Sequence, residues 1–163
     1  MVHIDELLPR ERTPLHYQNL VHDPRIDQEG LRMLAVSAYP FVRSEVARCP
    51  QADATTLGAV SLDSLNRWTR NKVLADIAGH PHADRTVLRF VLGEVVASLN
   101  QPGGRPFAAA LALATRPELT EAEVLTLTQQ PNASRRMRRG VRRALSQGGR
   151  DRTGVQAGRT QRP

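Results

Sequence analysis

Residue types that bind metals recur at one position in the sequence, directly before a proline, at Asp23, Cys49 and His80. Carboxylate, thiolate and imidazole are the ligands that Zn²⁺ prefers, and His22 and His82 lie beside two of these positions. The residues are nevertheless spread over separate segments, and a loop position before proline accepts any polar residue. We therefore expect no metal site and no cofactor.

A catalytic site is also not expected. A nucleophilic site needs a Ser or Cys with a base and an orienting acid. Residues of these types occur around Cys49, but no motif places them together. Gly103 and Gly104 lie in a turn rather than between a strand and a helix, so they do not form a nucleotide-binding loop. The glutamates within residues 118–123 complement the dipole at a helix start. An active site that includes His80 or Cys49 is the minor alternative.

The single tryptophan, Trp68, follows Arg67 and precedes Arg70 by two residues. Tryptophan with arginine is a composition typical of interface hot spots, so Trp68 is a candidate interaction residue. The alternative, which we favour because tryptophan side chains are usually buried, is that Trp68 fills a groove between two neighbouring repeats.

Positive charge is concentrated at the C-terminal end. Residues 1–133 contain 13 Lys+Arg and 15 Asp+Glu, whereas residues 134–163 contain ten Arg and one acid. Residues 134–146, SRRMRRGVRRALS, predict an amphipathic helix that docks through its apolar side. Its outward face would display Arg135, Arg136, Arg138, Arg139, Arg142 and Arg143. Such a face would attract phosphate, anionic lipid or acidic protein, or would serve only as a solubilising cap.

These candidates sit on a pattern that occurs five times around a proline, at Pro24, Pro50, Pro81, Pro117 and Pro131. The proline ends the preceding helix, and an apolar residue two positions later can pack the entering chain onto the next helix. Three positions after the proline comes a residue that caps helix N-termini. These predicted caps are Asp27, Asp53, Asp84, Thr120 and Ser134. The pattern predicts five helix–stop–helix joints, with the residues before the prolines aligned along one ridge.

The segments between the joints have helical periodicity. Apolar residues follow a 3.6-residue stripe over 87–99, and shorter helical segments occupy 37–48, 71–79 and 105–115. One such unit cannot bury its own apolar stripe, whereas stacked units bury one another's. The repeat therefore predicts a solenoid.

Residues 38–60, AYPFVRSEVARCPQADATTLGAV, resemble the variant leucine-rich repeat. The matching positions are Pro40, Val42, Arg43, Val46, Ala47, Pro50 and Leu57. The resemblance extends over about residues 14–145 and is complete only in this copy. It implies a right-handed all-helical superhelix, similar to HEAT-type solenoids, in which short 3₁₀ and α segments alternate. Some family members carry an iron–sulfur cluster on a cysteine-rich N-terminal region, which this sequence lacks.

We thus expect an all-α protein, a short right-handed α-solenoid of stacked irregular repeats over residues 14–146. An N-terminal extension (1–13) precedes it, and a disordered, basic Arg- and Gly-rich tail (147–163) follows. The start of the chain has no signal-peptide pattern, and no stretch has the roughly 18 apolar residues that span a bilayer. A cytoplasmic location is therefore expected, and the lone cysteine fits a reducing compartment.

The expected function is that of a non-enzymatic scaffold that binds an unidentified protein partner. The alternative is a nucleic-acid-associated protein that binds phosphate through the basic C-terminus. Five other arginines distinguish the two functions: Arg32, Arg43, Arg48, Arg85 and Arg89. If they line up with the C-terminal arginines, nucleic acid is favoured. If they scatter or pair with acids, a protein partner is favoured.

Overall fold

The chain was analysed as a computed structural model, which describes residues 4–154. Within these residues the regular elements are ten α-helices, with neither a strand nor a 3₁₀ helix. The all-α prediction is confirmed, whereas the implied 3₁₀ segments are absent from the described chain. The helices are α1 (Ile4–Leu7), α2 (Pro14–Leu20), α3 (Gln28–Ala35), α4 (Pro40–Arg48), α5 (Ala54–Ala59), α6 (Arg67–Gly79), α7 (Arg85–Leu99), α8 (Phe107–Ala114), α9 (Glu121–Gln129) and α10 (Arg135–Gly154).

The five predicted N-caps are confirmed. The carboxylates of Asp27, Asp53 and Asp84 accept hydrogen bonds at 2.7–2.9 Å from the backbone N–H three residues further on. Thr120 forms a capping box with Glu123 at the start of α9, as its spacing predicts. Ser134 Oγ accepts from the N–H of Met137 at the start of α10. Each cap satisfies a backbone donor that the helix leaves open and stabilises its helix by about 1 kcal/mol.

The apolar residue between each proline and its cap is buried. Ile26, Ala52, Ala83, Leu119 and Ala133 are all less than 8% exposed. Their backbone N–H groups donate to the carbonyl of the residue before the proline, at distances of 2.9–3.4 Å. The joint is therefore a tight turn that packs its apolar side chain inward while the cap starts the next helix.

The helices pack in two rows. In the first row α2, α4, α6, α8 and α10 contact one another in that order, and in the second row α3, α5, α7 and α9 do the same. Each row also packs against the other, and α10 contacts both α8 and α9. The facing side chains form one continuous core, in which Leu57, Leu74, Ile77, Leu88 and Leu113 are fully buried.

Neighbouring joints are connected by hydrogen bonds from side chains to backbone carbonyls. Cys49 Sγ lies 3.7 Å from the carbonyl oxygen of Val21. His80 Nε2 lies 2.9 Å from the carbonyl oxygen of Cys49. Arg116 donates to the carbonyl oxygens of His80 at 2.8 Å and of Ala83 at 2.9 Å. We call Cys49, His80 and Arg116 the joint ladder, because each residue precedes a proline and contacts the preceding joint.

The first four joints lead from the first row to the second, and the connections over 36–39, 60–66, 100–106 and 130–134 lead back. The joint at Pro131 is among the latter, so it lies at the opposite edge, which we call the loop edge. Residues 132–137 accordingly share a groove with the α7–α8 connection. Gln130 bonds to the carbonyl of Thr126 in its own helix instead of joining the ladder. The prediction of five equivalent joints on one ridge is therefore wrong for the fifth.

Both ends of the chain differ in detail from the sequence prediction. Helix α1 falls within the predicted N-terminal extension, and its Ile4 is buried. At the other end, Met137 and Val141 are buried at 3% and 0% exposure, so α10 docks through its apolar side as expected. The helix continues to Gly154 and includes residues 147–154, which were assigned to the tail, while 155–163 lie outside the described residues. In the part of the chain that the structure covers, no helix is both long and apolar enough to traverse a bilayer.

Candidate interaction surface

The candidate metal ligands belong to the joints. The Asp23 carboxylate pairs with Arg25 at 2.7 Å, and the hydrogen bonds from Arg25 lower the pKa of Asp23 to about 2. Cys49 and His80 are buried in the joint ladder. Across the described residues, no three His, Cys, Asp or Glu side chains are grouped so that they could hold a metal ion.

His80 is held as a neutral imidazole. Its Nε2 faces the carbonyl of Cys49 at 2.9 Å, and its Nδ1 lies 3.1 Å from the backbone N–H of His82. Both hydrogen bonds form only in the tautomer that carries its proton on Nε2. Burial lowers the pKa of His80, because the charged form would lose its hydration. The hydrogen bond from the neutral His80 ring to the Cys49 carbonyl connects two neighbouring joints.

Four of the five body arginines that the sequence analysis named are paired with acids. Arg32 pairs with Glu29, Arg48 with Glu45, and both Arg85 and Arg89 with Glu123. Arg43 is buried and donates to the backbone carbonyls of residues 61 and 63. Pairing with acids is thus observed for four of these five arginines, and the buried Arg43 is bonded to the backbone instead.

The six candidate arginines within residues 135–143 lie together on α10. Arg135, Arg136, Arg139, Arg142 and Arg143 are exposed. Arg138 is half-buried and donates to the carbonyl oxygen of Gln130 at 3.1 Å. Within the described part of the chain no ion pair involves any of them. We call this set the α10 arginine face.

Trp68 is 76% exposed, so the interpretation that it fills a groove between repeats is wrong. The buried residues of α6 are Val73, Leu74, Ile77 and Ala78. At 100° per residue, Trp68 lies roughly 150° around the helix from the centre of that buried stripe. The guanidinium of Arg67 lies 5.4 Å from the centre of the Trp68 ring.

Aromatic side chains line the loop edge, which the sequence analysis missed. Five of the six aromatic residues of the chain lie at or near the N-terminal ends of first-row helices. They are Tyr17, Tyr39, Phe41, Trp68 and Phe107. The rings of Tyr17 and Tyr39, and those of Tyr39 and Phe41, are 5.7 Å apart. Their shared signal is their position, within four residues of the first residue of α2, α4, α6 or α8.

A groove runs along this edge from α6 to α10. One part of it is lined by Arg67, Trp68, Asn71, Gly103 and Arg105. Gly103 and Arg105 also line the adjoining cavity of about 870 Å³, together with the rest of residues 99–104, Phe107 and several residues within 132–137. The guanidinium of Arg136 lies 5.3 Å from the centre of the Phe107 ring.

We call this feature the aromatic–arginine groove, defined by Arg67, Trp68, Arg105, Phe107 and Arg136. No Asp or Glu is among the described residues that line its two parts. None of its three arginines forms an ion pair within the described chain. The groove therefore combines accessible rings with three positive charges that lack a carboxylate partner.

No protein-family model matches this chain. No curated protein matches it either, and no solved structure does. The resemblance to the variant leucine-rich repeat and the cytoplasmic location therefore stay predictions.

Proposed function

We propose that this protein is a non-enzymatic helical-repeat scaffold, a short right-handed α-solenoid, that binds another protein through its loop edge. The observation that carries the proposal is Trp68, exposed on the surface with the guanidinium of Arg67 beside its ring. Tryptophan and arginine dominate the residues whose truncation weakens protein interfaces. Covering a large exposed ring also removes apolar surface from water, at about 25 cal/mol per Å².

The distribution of charge supports a protein partner. Four arginines of the body are paired with Glu29, Glu45 and Glu123, and this pairing makes them less available to a phosphate backbone. The exposed rings of the loop edge instead combine apolar area with polar surroundings, which is the composition of interface centres.

The test is capture of a stoichiometric partner from native lysate by the intact protein and by two variants. Trp68→Ala should lose the partner because it removes the exposed ring. Phe90→Ala removes another exposed ring, 42% accessible, from α7 in the second row, and should keep it. Loss of the partner in both variants, or in neither, would refute binding through the loop edge.

The α10 arginine face favours a second candidate function, binding of a nucleic-acid backbone. Truncation after Gln130 would remove Met137 and Val141 from the core, so charge removal is the cleaner test. The variant with Arg135, Arg139, Arg142 and Arg143 changed to Gln keeps that apolar side intact. If this candidate is right, a gel shift at low salt should be lost in the variant and should weaken steeply with salt in the parent protein.

A further inference from the structure

We propose that the aromatic–arginine groove binds an extended acidic peptide segment, with an apolar side chain of that segment in the cavity and carboxylates on the arginines. The inference rests on the proposed function, because it specifies the chemistry of the protein partner. It concerns one part of the loop edge and is tested separately from partner capture.

The cavity has an apolar floor suited to a side chain of the partner. Leu99 and Met137, which form part of its lining, are buried at 2% and 3% exposure, and Phe107 is half-buried beside them. Its volume of about 870 Å³ lies in the range of sites that take up a ligand. Asn100 and Asn132 are among the polar residues of the lining. This arrangement of apolar floor and polar surroundings favours one apolar residue flanked by polar ones.

The three arginines provide the charge complementarity. The guanidiniums of Arg67 and Arg136 lie over the rings of Trp68 and Phe107, at 5.4 and 5.3 Å from the ring centres. Stacking on a ring orients the guanidinium and leaves N–H groups at its edge for a carboxylate. Arg105 lies between them and lines both parts of the groove. Carboxylates spaced along one peptide would neutralise charges that no acid of the described chain meets.

The wall of the groove has a shape that only glycine permits. Gly103 adopts a φ of +74°, and its carbonyl accepts from Arg67 Nη1 at 3.3 Å. A Cβ placed on Gly104 would lie 1.7 Å from the carbonyl oxygen of Ser98. The α7–α8 connection is thereby held close against the end of α7, and the cavity exists before a ligand arrives.

Other occupants fit this groove less well. Residues 155–163 of the chain contain two arginines and no acid, so they would meet like charge there. Single-stranded nucleic acid needs a basic groove that follows its backbone for several nucleotides, but four arginines of the body outside this groove are paired with acids. A carboxylate-bearing peptide needs only the guanidinium edges.

The test measures fluorescence anisotropy of labelled peptides with the full-length protein. The first peptide has a central Phe flanked on each side by three Glu, the second replaces every Glu with Gln, and the third replaces the Phe with Ala. We expect the first to bind, and the other two to bind roughly tenfold more weakly or worse. Absence of binding by the first peptide, or equal binding by the second, would overturn the proposal.

Variants locate the binding. Arg105→Gln/Arg136→Gln should weaken the first peptide by roughly tenfold or more. Arg85→Gln/Arg89→Gln removes as much positive charge from the second row and should change affinity by less than about twofold, the small effect expected of a remote exposed charge. Equal weakening in both double variants would indicate non-specific attraction and overturn the proposal. Circular dichroism of each variant confirms that it is folded.

Two further measurements separate the alternatives. Tighter binding of a labelled oligothymidine than of the first peptide, lost in Arg105→Gln/Arg136→Gln, would assign the groove to nucleic acid and overturn the proposal. A dimer that sedimentation detects and this same variant abolishes would assign the groove to a second copy of the chain. Partner capture that depends on Trp68 while the acidic peptide fails to bind would overturn the peptide inference alone and leave the scaffold function intact.

Discussion

Replacement of Arg116 by Met tests whether the joint ladder holds the stack together. The Arg116 side chain is only 11% exposed, and its guanidinium donates to two backbone carbonyls of the preceding joint. Methionine keeps much of the unbranched stem that packs there and removes both hydrogen bonds.

The expected loss follows from these contacts. A hydrogen bond with one charged partner contributes about 1.5 kcal/mol at the low end of its range, so two such bonds give about 3 kcal/mol. The ion pair between Arg116 and Glu118, at 2.8 Å with Glu118 35% exposed, adds less than about 1 kcal/mol. The free energy of unfolding of a domain of this size is about 5–15 kcal/mol, so the two hydrogen bonds to carbonyls would contribute a large share of it.

Urea denaturation followed by far-ultraviolet circular dichroism gives the free energy of unfolding by linear extrapolation. Arg116→Met should lower it by about 3 kcal/mol with an unchanged denaturant slope. Glu118→Gln should lower it by less than about 1 kcal/mol. If the two variants agree within about 0.5 kcal/mol, the ion pair accounts for the whole effect of Arg116, and the ladder does not hold the joints together.

Three other predictions concern pH and the loop edge. Burial lowers the pKa of His80 from its ordinary 6.5, so the unfolded state takes up a proton more readily than the folded state. The free energy of unfolding should therefore fall as the pH drops below 6.5. His80→Gln should remove this slope in urea titrations at several pH values, and an unchanged slope would contradict the prediction. The hydrogen bond from the Thr120 N–H, together with the arginine contacts, lowers the pKa of Glu123 from 4.5 to about 2. The stabilisation by the ionised Glu123 should therefore be present at neutral pH and lost as the pH falls from 4.5 to about 2. Glu123→Gln should lose this acid dependence of the free energy of unfolding and keep the dependence near pH 6.5. Gly104→Ala should lower the stability by about 2 kcal/mol, because its Cβ would clash with the Ser98 carbonyl. Gly93→Ala lies on the open surface of α7, with nothing within 4 Å of the added Cβ, and should raise the stability by up to about 1 kcal/mol. Equal thermal stability of the two variants would refute the close approach of Gly104 to Ser98.

The joints were predictable because their signals are local. A proline, an apolar residue and a cap within four positions specify a turn whatever surrounds it, which is why Asp53, Asp84 and Ser134 start helices where the sequence places them. The apolar side of α10 was predictable for a similar reason, since the period of Met137 and Val141 determines which face docks.

Other features depend on tertiary packing. The joint at Pro131 has the local sequence of the others, and only the row into which α10 packs determines the edge on which it lies. A helical projection of α6 places Trp68 opposite the buried stripe. That projection could not be made from the sequence, because the predicted helix covered 71–79 whereas α6 begins at Arg67. The groove brings Trp68 and Phe107 together across a separation of 39 positions, a proximity that no local pattern encodes.

The position of the Pro131 joint has a consequence for how such a chain can lengthen. Pro131 follows Pro117 by fourteen positions, a spacing that holds one helix instead of two. The joint therefore lies on the other side of the molecule. An inserted pair of helices would leave every later connection where it was, while an odd insertion would exchange the two sides for all that follows. The loop edge with its rings and arginines is therefore preserved only when helices are added in pairs.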